Sequence, residues 1–270
     1  MIKFIVIGII IFLAFNIGPL IGWIATAFSL AFIIFWNIPI IYAKRGNAAY
    51  NEGNHLKALS LYEKAYKTGR ASADITLTYG ILLLRNAKPQ DAVTIFNLIV
   101  MNPSYKKEIK NDAKQYRALA YFKLNNIQDA IEEAEEIFED CKNTLSYGLL
   151  CYLKLATNAP IDDVYALCKE AYEYNSDDRD ICDNMTVAHI RKGEYNEAKE
   201  IVDNITKKFP AFIEGYYHAA VVYYKLGDKE KAQELLNAID EKCSRTYLTT
   251  ISEEEISRFK SELNGENTDD

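Results

Sequence analysis

The sequence predicts an all-α protein in which a superhelical solenoid of paired helices follows an apolar helical hairpin. Three observations carry this reading. The first is a triplet of small or apolar residues at i, i+4 and i+7, one face of a helix, which begins with Ala58, Tyr62 and Ala65. It recurs as Ala92/Phe96/Ile99, Ala130/Ala134/Ile137, Val164/Cys168/Ala171, Ala198/Val202/Ile205 and Ala232/Leu236/Ile239, at steps of 34, 38, 34, 34 and 34 residues. The second is a turn former between the two helices of most copies: Gly53, Asn86 to Pro89, Asn125, Gly193 and Gly227. The third is the block from Phe4 to Tyr42, which holds no charged residue, whereas the chain beyond it has the charge density of a water-exposed protein.

The apolar block comes first. It is too long for a secretory signal core and too long for one ordinary membrane helix. Its best break is Asn16-Ile17-Gly18-Pro19, which leaves one helix near 2–17 and a second from 20 to 36 or 42. At 1.5 Å per residue the second crosses a hydrocarbon core of about 30 Å and the first barely does. Residues 1–38 are therefore expected to form a membrane anchor of two helices with a turn near 16–19, and the lipid bilayer is a partner of residues 4–42. Lys3 before the block and Lys44-Arg45 after it place both ends in the cytoplasm. Trp23, Trp36 and Tyr42 fall where interfacial aromatic belts would lie. A single signal anchor, with the repeats outside, and cleavage after Ala25-Thr26-Ala27 are the competing arrangements.

The unit Gly46 to Tyr66, GNAAYNEGNHLKALSLYEKAY, shows what each copy contributes. Small residues let two helices approach, a glycine reverses the chain, and larger residues fill the space against the next pair. In this pattern the chain resembles a tetratricopeptide repeat (TPR) protein over about residues 39 to 246. The resemblance implies six repeats: 39–72, 73–106, 111–144, a degenerate 145–178, 179–212 and 213–246. In the third, Asn125 replaces the turn glycine, and the added residues around Tyr105 to Lys110 lengthen a helix by a turn. In the fourth, a four-residue slide of the first helix puts Gly148, not Tyr152, at the small position. Such units cannot bury their faces alone and are stabilised by stacking. A capping helix within 247–264 follows, opened by the capping box Ser252-Glu253-Glu254-Glu255, with Ile256, Phe259 and Leu263 against the last repeat. Residues 265–270 read as a disordered acidic tail.

Composition narrows the function. A net charge of −7 and no concentrated basic face argue against nucleic acid. The acids Glu132, Glu133, Glu135, Glu136, Glu139 and Asp140 read as a solvated helix surface. Five cysteines without a CxxC read as small buried hydrophobes in a reducing compartment, and high Ile, Lys, Asn and Tyr usage suggests a bacterial genome. The three histidines fall in different repeats, and no phosphate-loop, dinucleotide or metalloprotease motif occurs. The expectation is a protein that is not an enzyme and needs no metal or cofactor.

Binding is what the resemblance implies. The concave surface of the family is lined by first helices, here by Asn47, Tyr50, Leu77, Ile81, Leu84, Arg85, Gln115, Leu119, Phe122 and Lys123. Further along it is lined by Leu149, Tyr152, Leu153, Asp183, Val187, Ile190, Arg191, Tyr217, Val221, Tyr224 and Lys225. The carboxylate-clamp variant of the family needs Lys and Asn at set positions; only Asn47 matches, while Asp74, Asp112 and Asp180 stand at position 2. Arg85, Lys123, Arg191 and Lys225 recur at position 13, a basic row suited to a protein or peptide partner with an acidic amphipathic segment. Two roles stay open: a plasma-membrane scaffold with cytoplasmic repeats, or a structural subunit of a larger membrane complex. Closure of the groove by the chain's own terminal helix is the competing use of the same residues.

Overall fold

The computed structural model describes residues 2–157 and 159–265, with side chains from Ile5 onward; the acidic tail expected beyond Gly265 lies outside the described residues. Among them every regular element is a helix. The chain forms two compact units, one to Leu82 and one from Leu83.

The first unit opens with α1 (Ile2–Ile17) and α2 (Pro19–Asn51), separated only at Gly18, which is extended at φ 171°. Within α1 the side chains withdrawn from solvent are Ile7, Ile11 and Ala14. On the part of α2 before Phe35 they are Gly22, Ala25, Thr26, Ser29 and Ile33. Each set recurs every three to four residues, so the two helices pack along one stripe. Small residues on that stripe permit close approach, as they do between helices in lipid. Gly22 has no room for a side chain, since a Cβ would stand 2.3 Å from the Phe15 ring. The outward faces are almost wholly apolar and exposed, among them Leu20, Trp23, Phe28 and Ile34.

The helix α2 is long and apolar enough to cross a membrane, and its stretch from Pro19 to Tyr42 rises about 36 Å at 1.5 Å per residue. It does not stop at the boundary drawn between 38 and 39. Pro39 lies inside it, and the apolar segment and the first repeat share one helix. A proline inside a helix leaves the carbonyl four residues earlier without its N–H donor. Here that carbonyl belongs to Phe35, and Arg70 Nη2 donates to it at 3.2 Å. The same guanidinium lies 3.8 Å from the Phe35 ring centroid. Beyond Pro39, α2 packs on α3 (His55–Lys67). Gly46 is the contact point, where a Cβ would meet the Tyr62 ring at 2.6 Å. Gly53, at φ 77°, makes the left-handed turn between them.

Helix α4 (Ala73–Arg85) follows α3 in the chain. In the second unit the first helices of successive repeats are α6 (Lys107–Lys123), α8 (Thr144–Ala156), α10 (Arg179–Lys192) and α12 (Ile213–Lys225). Each touches the next, forming one layer. The second helices are α5 (Pro89–Met101), α7 (Ile127–Asp140), α9 (Ile161–Tyr174), α11 (Tyr195–Lys208) and α13 (Lys229–Lys242). Helix α6 has 17 residues against 13 in α8 and α12, so the four added residues extend its start by one turn. All six recurring triplets are at most 4% exposed. They are the core, and burying each of the larger members, such as Phe96 or Leu236, contributes about 1.5–3 kcal/mol.

Turn chemistry follows the sequence where glycine is present and strains where it is not. Gly193 and Gly227 are left-handed, and so are Asn125 (φ 61°) and Ala87 (φ 58°). In the fourth repeat Gly148 is buried, and its carbonyl accepts from Asn184 Nδ2 of the next first helix at 2.9 Å. Of the acids expected on a solvated face, Glu133 departs from the rest. It is 7% exposed, and both its oxygens lie 3.0–3.1 Å from Arg117 Nε across the α6–α7 pair. A carboxylate pointing inward is retained because that guanidinium meets it side-on. Cys151, Cys168 and Cys182 are buried free thiols. The last element, α14 (Glu253–Asn264), has both capping-box bonds between Ser252 and Glu255, and Ile256 and Phe259 bury against the sixth repeat. Residues 247–252, also expected in the capping segment, are not helical.

Candidate functional site

The first-helix layer of the second unit surrounds a cavity of about 450 Å³. The α6 and α8 wall is apolar and aromatic, with Tyr116, Leu119, Leu149 and Tyr152. The opposite wall is polar, with Arg179, Asp180, Asp183 and Glu214 beside Phe212. Arg85 reaches it from the end of α4. Burial raises the Tyr116 and Tyr152 phenols above their ordinary range, so both are neutral donors. Burial also raises the Asp180 carboxyl, against the pull of Arg179, whose Nε lies 3.0 Å away. The Arg179 guanidinium lies 4.6 Å from the Phe212 ring centroid.

Asp183 accepts from His218 Nδ1 at 2.7 Å. Burial is the largest influence and works against a charged imidazole there, but the facing Asp183 carboxylate together with Glu214 and Glu255 raises His218 above its usual value. The other histidines are engaged locally. His55 packs its ring on Tyr50 at 4.8 Å, and His189 lies 2.8 Å from Glu194. The described residues hold no group of three or more His, Cys, Asp or Glu placed to bind a metal ion.

The residues expected to line a groove separate into distinct fates. Arg85, Leu119, Leu149, Tyr152 and Asp183 come together around the cavity. Phe122 meets Tyr152 edge-on at 5.3 Å. Leu84 and Leu153 are fully buried and Gln115 is 2% exposed, so these three belong to the interior. Val187 packs into the core between the fourth and fifth repeats and Ile190 into that of the sixth. Tyr217 and Tyr224 meet the terminal helix, where the Phe259 ring stands edge-on to both at 5.8 and 5.4 Å, and Val221 packs on the sixth-repeat core. In the first unit Asn47 accepts from the Tyr62 hydroxyl at 2.6 Å, and Leu77 and Ile81 are half-buried on α4.

The basic row is not one surface. Arg191 donates to the carbonyls of Leu155 and Ala159, at 3.4 and 3.1 Å, satisfying the end of α8 and the loop after it. Lys225 stays beside the Tyr224 ring at 5.7 Å. Lys123 turns to the segment after α13, where its ammonium meets the Leu248 carbonyl at 3.5 Å. Among the residues that line the cavity the acids Asp178, Asp180, Asp183 and Glu214 stand with Arg85 and Arg179, while His218 pairs with Asp183 and Lys123 lies near Glu214 from outside the lining. That balance leaves no excess of positive charge for an acidic partner.

Sequence reasoning missed Tyr116, Arg179, Phe212 and the segment 244–250, which lines one side. The position-2 acids Asp180 and Glu214 carried a signal, since their places in the repeat could be counted.

Family models described as tetratricopeptide repeat match residues 43–107 and 214–243. No curated protein matches the chain. Among solved structures, PilF of Pseudomonas aeruginosa is similar at 14% identity and a TM-score of 0.58, covering 84% of this chain and 98% of that one. A thermophilic TPR protein of Thermus thermophilus gives 15% and 0.56, over 72% and 99% of the two chains. A tetratricopeptide repeat protein of Parabacteroides merdae gives 13% and 0.54, over 84% and 89%. At these identities the likeness is one of fold.

Proposed function

The chain is a tetratricopeptide repeat protein, and from that premise we propose that it is a membrane-anchored adaptor that binds a protein or peptide partner on its first-helix layer. The observation that carries the binding role is the cavity described above, where aromatic and apolar side chains face a polar wall. Such a lining gives an apolar anchor a place to bury and supplies few, fixed polar contacts for orientation. The anchor is the α1–α2 pair. Its exposed side chains from Ile5 to Ile41 are solvated by hydrocarbon, with Lys44 and Arg45 at the cytoplasmic headgroups of a bacterial plasma membrane.

The charge around the cavity favours a neutral or basic partner segment over an acidic one. A photoreactive residue placed at Leu119 or Leu149 in living cells tests the site. Adducts to one protein, found in the membrane fraction and absent from the outward-facing positions Glu200 and Glu234, support it. Adducts of equal yield from all four positions, or none from the cavity, overturn it. A reporter that is active only outside the cytoplasm, fused after Asp270, tests the sidedness, and its activity would overturn the cytoplasmic placement.

A further inference from the structure

The connection between α13 and α14 runs from Cys243 to Ser252, about ten residues where roughly two to eight join most packed helices. It does not simply turn. Ser244, Thr246, Leu248, Thr249 and Thr250 form one side of the cavity whose other sides are α6, α8, α10 and α12. Two side chains on different repeats hold it there. Lys123, in the third repeat, donates to the Leu248 carbonyl at 3.5 Å and stands 5.6 Å from the Tyr247 ring. Glu214, in the sixth, accepts from the Thr250 backbone N–H at 2.9 Å and from its hydroxyl at 3.3 Å.

The segment also holds its own shape. Thr249 N–H closes a turn on the Thr246 carbonyl at 3.1 Å, and Thr246 N–H bonds the Thr249 hydroxyl at 3.1 Å. It is tied down behind by Ile251, which is buried in the sixth-repeat core. Its contacts are those a foreign peptide would make: a main-chain carbonyl on an ammonium, a main-chain N–H on a carboxylate, and an aromatic ring near the cation. Burial lowers the Lys123 ammonium below its ordinary range, with Glu214 opposing. The half-buried ammonium is partnered by a main-chain carbonyl of the strap, and a ligand offering the same carbonyl would serve it equally.

We infer that Ser244–Thr250 is an internal ligand of the groove, a strap on the partner's seat that an incoming polypeptide must displace. This rests on the groove being the binding site. Because the strap is tethered, its effective concentration is of millimolar order, and it competes with any free segment. A partner's apparent affinity is reduced by the fraction of chains in which the strap is down.

The probe is a fluorescent synthetic peptide of residues 244–251, titrated onto the full chain in detergent. In a variant with 244–250 replaced by a Gly-Ser linker of equal length, the peptide is expected to bind at least tenfold more tightly than to the unaltered chain. Adding Lys123→Ala and Glu214→Ala should remove that binding. A strap-replaced chain with unchanged circular dichroism that fails to bind the peptide, or equal binding by both chains, overturns the inference. If that variant does not fold, the same two substitutions in the unaltered chain should speed amide exchange at Thr250 at least tenfold, and unchanged exchange overturns it. Failure of the groove itself looks different: the peptide would bind the strap-replaced chain while no cellular adduct forms at Leu119 or Leu149. Conversely, adducts of equal yield with and without the strap keep the groove and discard the strap.

Discussion

Arg70 is the residue whose loss should reveal how α2 continues through a proline. Replacing it by Met keeps the aliphatic stem and removes both the donor to the Phe35 carbonyl at 3.2 Å and the cation over the Phe35 ring at 3.8 Å. A hydrogen bond from a charged donor contributes about 1.5–3 kcal/mol when shielded; this one is exposed, so about 1 kcal/mol is the better figure. The ring contact adds about 0.5–1 kcal/mol at an exposed site. Arg70→Met should therefore destabilise the Pro39 region by about 2 kcal/mol. In a Pro39→Ala background the backbone regains its N–H, the Phe35 carbonyl is satisfied within the helix, and the same substitution should cost only about 1 kcal/mol. The coupling of about 1 kcal/mol, roughly fivefold in an opening equilibrium, can be read from amide exchange in α2 after Pro39 across a double-mutant cycle. Equal cost in the two backgrounds, within about 0.3 kcal/mol, would refute the idea that Arg70 replaces the missing donor.

Three further outcomes are expected. Gly46→Ala gains about 1 kcal/mol of helix propensity, but its methyl would stand 2.6 Å from a Tyr62 ring that Asn47 pins by the hydroxyl. Overpacking costs about 1–3 kcal/mol, so a net loss of about 1 kcal/mol is expected in thermal unfolding, recovered by Gly46→Ala with Tyr62→Leu. Ala87→Gly should stabilise the second unit by about 0.5–1 kcal/mol in urea titration, because Ala87 holds φ 58° and a left-handed residue with a Cβ costs about 1–2 kcal/mol, partly offset by the freer unfolded chain. His218 is raised in the folded state, so its contribution is complete below its unfolded value of about 6.5 and fades as pH climbs through the folded value. Melting temperature should fall over that interval in the unaltered chain and stay level in His218→Asn; parallel profiles would remove His218 as the cause.

Most of the fold was legible because repetition supplies its own control. One i, i+4, i+7 triplet could be accident, but six at a near-constant step define the helix faces, and all six faces are core. Turn positions were legible for the same reason. Asn125 was readable as a glycine substitute because Asn tolerates left-handed backbone, whereas nothing in Ala87 announces a positive φ. The site was less legible, for a physical reason. Position in a repeat says which face of a helix a residue occupies, not what lies above it. Leu84 and Leu153 occupy groove positions but fall inside, and Arg191 turns to cap carbonyls in the preceding repeat. Lys123 and Leu248 are separated by 125 residues and share no periodic relation. The terminal segment was expected to cap the array, and Ile256 and Phe259 of α14 are buried with sixth-repeat residues; that the stretch before it would line the cavity depends on tertiary geometry alone.

The continuity of α2 bears on how the first repeat would sit if the apolar pair spans a bilayer as proposed. Lys44 and Arg45 follow Tyr42 directly, and Gly46 and Ala49, the buried contacts to α3, begin within a turn of them. A flexible junction would need an unsupported break between the apolar stretch and those contacts. The one candidate is Pro39, and there Arg70 fills the missing donor's place while Asn37 Nδ2 donates to the Ile33 carbonyl at 2.7 Å. Because Arg70 follows α3 in sequence and Phe35 lies in the apolar stretch, the clasp joins the repeat side of the unit to its apolar side. The direction of α3 is then set by the tilt of α2 rather than by a linker. Residues 37–48 should accordingly resist a protease that finds exposed loops.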